Sequence, residues 1–355
     1  MQLALQLAKK GCGWTAPNPM VGAVIVKDGN IIGQGYHEKY GQAHAERNAI
    51  SSCRESPEGA TMYVTLEPCC HYGKQPPCVT AILEAGIRRV VVGSTDPNPL
   101  VAGKGVHMLR EHGVEVAENI GKKECDKLNE VFLHYIRTGR PYVVMKYAMT
   151  MDGKIAAYTG ASRWITGEEA RKHVHQQRHR YTAVMAGVGT VLADDPLFTC
   201  RIHGGKNPIR IICDSMLRTP SDAKVIITSH EAPTILATCC TEREKWRAYE
   251  QKGCRILLVK EKNGQVDLVD LVERLGQEAI DSILLEGGGA LNWSALESRI
   301  VQKLQVYVAP KLFGGQAAKT PIEGVGVADP DVAFFLKNCQ VTPLGEDFLI
   351  ESEMG

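Results

Sequence analysis

The chain has 355 residues, enough for two domains without stretching one core across all of it. Its 41 basic and 40 acidic residues leave a net charge of +1, so no global field draws it to nucleic acid or to a membrane surface. Twelve cysteines are too few for a disulfide scaffold at this length and read as reduced thiols of a cytoplasmic protein. No apolar run reaches the length of a membrane span, and the amphipathic start MQLALQLAKKG reads as a first helix, not a signal peptide.

In chain order, a strand pair is expected at 21–27 and 31–36, turned at Asp28-Gly29-Asn30. An alanine-rich helix at 43–53 puts His44 and Glu46 in its first turn. A strand at 61–66 stops just before Pro68-Cys69, and Pro77 opens a helix through Cys78 that Gly86 ends. One imidazole and two thiols, from His44, Cys69 and Cys78, can hold Zn²⁺ at three corners of a tetrahedron and leave the fourth for water. Glu46 then stands where a non-ligand carboxylate could carry that water's proton to a departing amine. Two helix N-termini converging on the site would favour thiolate over thiol. The pattern H-x-E…P-C-x-x-C is met except in its last spacing, because eight residues separate Cys69 from Cys78. A closed structural zinc site is the alternative, since Cys70 and His71 offer spare ligands, but Glu46 has no task in one.

Helical periodicity at 123–136 runs out at Arg137-Thr138-Gly139-Arg140-Pro141, which divides the chain into domains 1–140 and 141–355. Beyond the break, strands are expected at 142–147, 183–186, 209–213, 225–228, 234–238, 255–259, 282–285 and 305–309. Helices are expected at 168–181 and 269–276, which makes a second α/β domain. Three segments there suggest nucleotide contact: the turn after Lys146, Gly187-Val188-Gly189-Thr190, and Glu286-Gly287-Gly288-Gly289. Glycines where a strand meets a helix let backbone N–H groups approach phosphate. None satisfies G-x-G-x-x-G, and such a segment alone is more often a tight turn than a phosphate cradle.

Several motifs follow one another in a family-specific order: Ala16-Pro17-Asn18-Pro19, His44-Ala45-Glu46, Glu67-Pro68-Cys69-Cys70-His71-Tyr72-Gly73-Lys74-Gln75-Pro76-Pro77-Cys78 and Asp96-Pro97-Asn98-Pro99. Met151-Asp152-Gly153-Lys154, Trp164-Ile165-Thr166, Ala193-Asp194-Asp195-Pro196 and Glu286-Gly287-Gly288 continue the series. The chain resembles the bifunctional riboflavin-biosynthesis deaminase/reductases from the first strand to about residue 315, and the long loop before Cys78 is that family's form. The resemblance implies an α/β fold in two parts, an N-terminal cytidine-deaminase-like α/β/α layer domain and a C-terminal dihydrofolate-reductase-like α/β domain. It implies zinc-dependent hydrolysis of the 2-amino group of a ribosylaminopyrimidine 5′-phosphate, then NADPH-dependent reduction of ribosyl to ribityl.

By the same resemblance His44, Cys69 and Cys78 bind zinc and Glu46 shuttles the proton, as the residue chemistry also suggests. Asn18, His71 and Lys74 would contact the pyrimidine phosphate. In the second half Ala148, Trp164, Thr190, Asp194, Ser215, Gly288, Gly289, Ala290, Leu291, Asn292, Trp293 and Ser294 would lie along NADPH. Ser162, Arg178, Phe198, Arg201 and Glu286 would meet substrate, with Lys146 and Asp194 steering charge and protons. Alanine at Ala161 and phenylalanine at Phe198 depart from the residues common in the family. The partner is a small phosphorylated pyrimidine, with neither nucleic acid nor membrane, and a homo-oligomer is expected. Two other classes compete: a deaminase whose C-terminal half only binds or assembles, and a nucleic-acid base deaminase. Near-zero net charge and the lack of a basic, aromatic-rich stripe speak against the last.

Overall fold

A computed structural model describes residues 1–355, which fall into two compact units, Met1–Gly139 and Arg140–Gly355. In the first, strands β1 (Gly22–Lys27), β2 (Asn30–Tyr36), β3 (Thr61–Leu66), β4 (Arg89–Ser94) and β5 (Glu115–Ala117) form one sheet in the order β2-β1-β3-β4-β5. The β1 pairings are antiparallel, and β3, β4 and β5 run parallel. Alternate side chains leave by opposite faces. Ala23, Ile25, Met62, Val64, Val90 and Val92 enter a core closed by Ala45, Ala49, Val79 and Ile82, whereas Val24 packs against Ala4 and Leu7 of the first helix. A Cβ on Gly35 would stand 2.4 Å from the Ala49 nitrogen, so glycine is what lets the helix Ala45–Ser51 lie flat on β2.

The second unit carries β6 (Tyr142–Thr150), β7 (Ala183–Gly187), β8 (Ile209–Cys213), β9 (Thr234–Thr238) and β10 (Arg255–Leu258), followed by the small β11 (Glu261–Lys262) and β12 (Gln265–Val266). It continues with β13 (Ser282–Leu285), β14 (Val301–Ala309), β15 (Leu336–Leu344) and β16 (Asp347–Met354). Nine of these form one sheet, β10-β9-β8-β7-β13-β6-β14-β16-β15, parallel from β10 to β14 and antiparallel beyond. The parallel strands β7, β9 and β13 are short and largely apolar because both faces are covered. Met185, Ile211, Ile235 and Ile283 enter one core and Val184, Ile212 and Leu236 the other. Because β13 inserts between β6 and β7, the chain leaving Leu285 arrives beside Lys146, one residue past the Leu285–Met145 pairing.

Two expected elements are corrected. The segment expected as a strand at 225–228 is a helical turn, Lys224–Ile227: a short buried apolar run has no period of its own, and Val225 and Ile226 are buried either way. The helix expected at 123–136 is two helices, Lys122–Leu128 and Glu130–Thr138, separated at Asn129. The hairpin β15–β16 has no counterpart among the expected strands. Its edge strand LKNCQVTPL is exposed along nearly its whole length and shows no alternation to read. No helix is long and apolar enough to cross a membrane.

Candidate active sites

In the first unit, His44 is the N-cap of its helix, in extended backbone, rather than a first-turn residue. Cys78 is the first residue of the helix Cys78–Glu84, with Pro77 as N-cap, and Cys69 lies on the loop past β3. Their donor atoms all lie within 4.8 Å of one another. His44 Nδ1 stands 3.5 Å from Cys69 Sγ and 3.3 Å from Cys78 Sγ. One nitrogen and two sulfurs so gathered fit Zn²⁺ with a position to spare. Cys70 does not fill it, because its thiol donates to the Leu100 carbonyl at 3.6 Å. The long loop is tied down before Cys78 by Arg47, which donates to the carbonyls of Pro76 at 3.3 Å and Pro77 at 3.1 Å.

The two thiols titrate as a pair. A hydrogen bond from Cys78 holds Cys69 down as thiolate, and the same bond together with burial pushes the Cys78 thiol up. Glu46 is 3 % exposed, and burial, aided by the Cys69 thiolate, pushes its carboxyl up to about 7. A cavity of about 230 Å³ opens beside them, and Asn18, His71 and Lys74 all line it. The Lys74 ammonium lies 4.1 Å from the centre of the Tyr40 ring.

Sequence reasoning missed two groups in this wall. His37, buried, gives Nδ1–H to the Ala43 carbonyl at 3.1 Å, which leaves Nε2 to accept from the Asn18 amide at 3.3 Å. Asp96, buried and accepting from the Asn98 N–H at 2.8 Å, has its carboxyl pushed up to about 6 by burial. The Asp96-Pro97-Asn98 motif was the available signal.

In the second unit, Lys146 in the middle of β6 meets Arg178 of the helix Glu168–Arg180 and Glu286, one residue past the carboxyl end of β13. Arg178 donates to both Glu286 oxygens at 2.6 and 2.9 Å and to the Thr199 carbonyl at 3.2 Å, and Lys146 Nζ approaches the same carboxylate at 3.5 Å. Burial alone would raise Glu286, but Arg178 and Lys146 outweigh it and hold the carboxyl at about 2. Burial pulls the Lys146 ammonium below its ordinary value despite Glu286. Phe198, also buried, has its ring 5.8 Å from the Arg178 guanidinium.

A cleft of about 420 Å³ lies at the ends of β7, β8 and β13, where open parallel sheets bind ligands. Ser162, Thr190, Asp194, Ser215, Gly288, Gly289, Ala290, Leu291 and Ser294 line it. Ser162 donates to Asp194 at 2.9 Å, and Gly288 is the N-cap of the helix Gly289–Glu297. The other expected cofactor residues are engaged elsewhere. Ala148 packs against Ala170, Val174, Tyr307 and Leu349. Asn292 is fully buried and donates to the Pro321 carbonyl, and Trp293 packs edge-on against Phe334. Helical periodicity explains this, since Ala290, Leu291 and Ser294 share the face turned to the cleft while Asn292 and Trp293 point away from it. Trp164 is 62 % exposed with the Arg171 guanidinium over its ring, and Arg201 is exposed. Arg218, Gln265, Lys319 and Glu323 also line the cleft and carried no motif.

Residues 141–350 match the family described as RibD C-terminal domain, and residues 1–94 match the cytidine and deoxycytidylate deaminase zinc-binding region. The riboflavin biosynthesis protein RibD of Actinobacillus pleuropneumoniae is 54% identical over 351 residues, 99% of this chain and 93% of that protein. The chain belongs to the RibD family. RibD of Aquifex aeolicus is 45% identical over 351 residues, 99% of this chain and 96% of its own. The crystal structure of a diaminohydroxyphosphoribosylaminopyrimidine deaminase/5-amino-6-(5-phosphoribosylamino)uracil reductase from Thermotoga maritima matches with a TM-score of 0.90 at 39% identity, covering 100% of this chain and 97% of that one. RibD membership gives the fold class: α/β, with a cytidine-deaminase-like N-terminal part and a dihydrofolate-reductase-like C-terminal part.

Proposed function

We propose that this chain carries out two steps of riboflavin biosynthesis. The first is hydrolytic release of ammonia from 2,5-diamino-6-(ribosylamino)-4(3H)-pyrimidinone 5′-phosphate. The second is NADPH-dependent reduction of ribosyl to ribityl, giving 5-amino-6-(ribitylamino)uracil 5′-phosphate. The chain is a bifunctional enzyme, a zinc aminohydrolase over residues 1–140 and a reductase over 141–355. The observation that carries the reading is the open donor set of His44, Cys69 and Cys78 beside the buried carboxyl of Glu46.

Zinc held by His44 and the two thiolates supplies a Lewis-acidic position for activating water. Glu46 takes the proton and returns it to the departing amine; a carboxyl moved toward neutrality by burial can do both. Asn18, steadied by His37, and His71 face the pyrimidine, and Lys74 meets the phosphate. NADPH supplies the reducing equivalent for the sugar carbon. Thr190, Ser215 and the start of the glycine-opened helix hold the cofactor, and Ser162 keeps the Asp194 carboxylate in place at the cleft wall. The Arg178 fork is committed to Glu286, so Arg178 shapes the site while the exposed Arg201 is the cation free to reach the phosphate. Lys146, drawn toward neutrality by burial, donates the proton at the opening sugar.

Two finer points belong with this reading. A second copy of the chain covers the two-sided exposed edge strand Leu336–Leu344, because a long exposed edge invites pairing. The enzyme is cytoplasmic, in keeping with twelve free cysteines. Purified protein given the phosphorylated diaminopyrimidine and NADPH should release ammonia and then oxidise the cofactor. Ammonia without NADPH oxidation would leave the C-terminal half a binding module, and comparable turnover of single-stranded DNA or tRNA would overturn the assignment.

A further inference from the structure

Asn129 is 3 % exposed and lies between the helices Lys122–Leu128 and Glu130–Thr138 with φ −104° and ψ 24°, outside the helical range. Its side-chain amide reaches 109 positions back along the chain. The Met20 N–H donates to Asn129 Oδ1 at 2.8 Å, and Asn129 Nδ2 donates to the Met20 carbonyl at 3.0 Å. Both backbone groups of one residue are thus satisfied by one amide, as a neighbouring strand would satisfy them. Strand β1 begins only at Gly22, so Met20 has no strand partner of its own.

Met20 ends the loop that carries Asn18. The Asn18 N–H donates to the Thr15 carbonyl at 2.8 Å, and its side-chain amide bonds to His37 Nε2 at 3.3 Å. Asn18 lines the deaminase cavity, and so does Phe132, one turn beyond Asn129 on the same helix. One amide therefore ties two walls of that cavity together. The task needs a donor and an acceptor on one planar group, which among side chains of this length only asparagine supplies. Aspartate has the same shape but cannot donate to the Met20 carbonyl and places a negative charge against it.

We infer that Asn129 is a positioning residue for deamination, holding the Asn18 loop against the pyrimidine pocket by a two-point clamp on Met20. The inference rests on the reading of Asn18 as a substrate contact. Asn129→Asp should raise the KM of the deaminase step by about tenfold, the cost of a buried carbonyl losing its donor. The kcat should change less, zinc should stay bound at full occupancy, and reduction of separately supplied deaminated substrate should be unaltered. Asn129→Ser, uncharged and too short to span the gap, serves as the second variant and should give the same split.

The deciding measurement is a double-mutant cycle with Asn18→Ala. If Asn129 acts through the Asn18 loop, Asn18→Ala/Asn129→Asp is no worse in KM than Asn18→Ala alone. Additive effects, or a loss of zinc and thermal stability with KM unchanged, would reduce Asn129 to a structural residue and overturn the inference. If Asn18→Ala itself leaves KM untouched, the reading of Asn18 fails instead, and the two failures are told apart.

Discussion

The two sites are built in contrasting ways. The N-terminal donor cluster draws His44, Cys69 and Cys78 from neighbouring loop and helix starts, 25 and 34 positions apart. The C-terminal cluster joins Glu286 to Arg178 and Lys146 across 108 and 140 positions, and opposite charges buried at the end of a parallel sheet hold it together. A metal site concentrates its chemistry in residue types and spacings. A site made from several strands and a helix spreads it over residues that only the topology assembles.

The largest effect should come from the proton shuttle. Glu46→Gln keeps the size and the buried position but cannot carry the proton, so ammonia release should fall by about 10²–10⁴-fold. Zinc content and reduction of supplied deaminated substrate should persist, and measurable deamination near the parent rate would reject the assignment. Arg178→Met leaves the Glu286 carboxylate buried with Lys146 alone. It should destabilise the C-terminal unit by about 3–5 kcal/mol in thermal or urea unfolding and abolish NADPH oxidation, while ammonia release continues.

A pH dependence sharpens the same contrast. The folded Glu286 carboxyl sits at about 2, below its ordinary 4.5, so its ion pairs stabilise the unit fully above that ordinary value. The contribution is lost as pH falls toward about 2. Thermal transitions followed by tryptophan fluorescence should therefore drop across this window in the parent and drop less in Glu286→Gln. A parallel decline in both would mean that Glu286 is not the group responsible. Smallest should be Ser162→Ala, which removes one hydrogen bond to Asp194. A loss of about 1 kcal/mol corresponds to roughly fivefold in kcat/KM for NADPH-dependent reduction, with deamination unchanged.

Legibility followed the same division. Cys69 and Cys78 could be read because thiols at those places have few other uses, and the strand–loop–helix grammar around them is local. The close approach of Asn129 to Met20 could not be read, because a lone asparagine inside a helical period looks like a tolerated polar residue. In the second half the strands 209–213, 234–238 and 282–285 stood out as short apolar runs, since both faces of a parallel sheet are buried. The same signal misled at 225–228, where a buried apolar run is a helical turn. That Arg178 binds Glu286 rather than facing open cleft needed the strand order, because nothing in either local sequence names the other. The cleft residues Arg218 and Lys319 stand on loops, and Gln265 on the two-residue strand β12, in segments whose composition is ordinary.

The proposed function gives one chain two chemically separate sites, only one of which depends on a metal. The most direct test is to strip zinc with a chelator and assay both half-reactions on the same preparation. Ammonia release from the phosphorylated diaminopyrimidine should cease and return on adding Zn²⁺, while NADPH oxidation with supplied deaminated substrate continues unchanged throughout. Loss of both activities on chelation, or of neither, would contradict it.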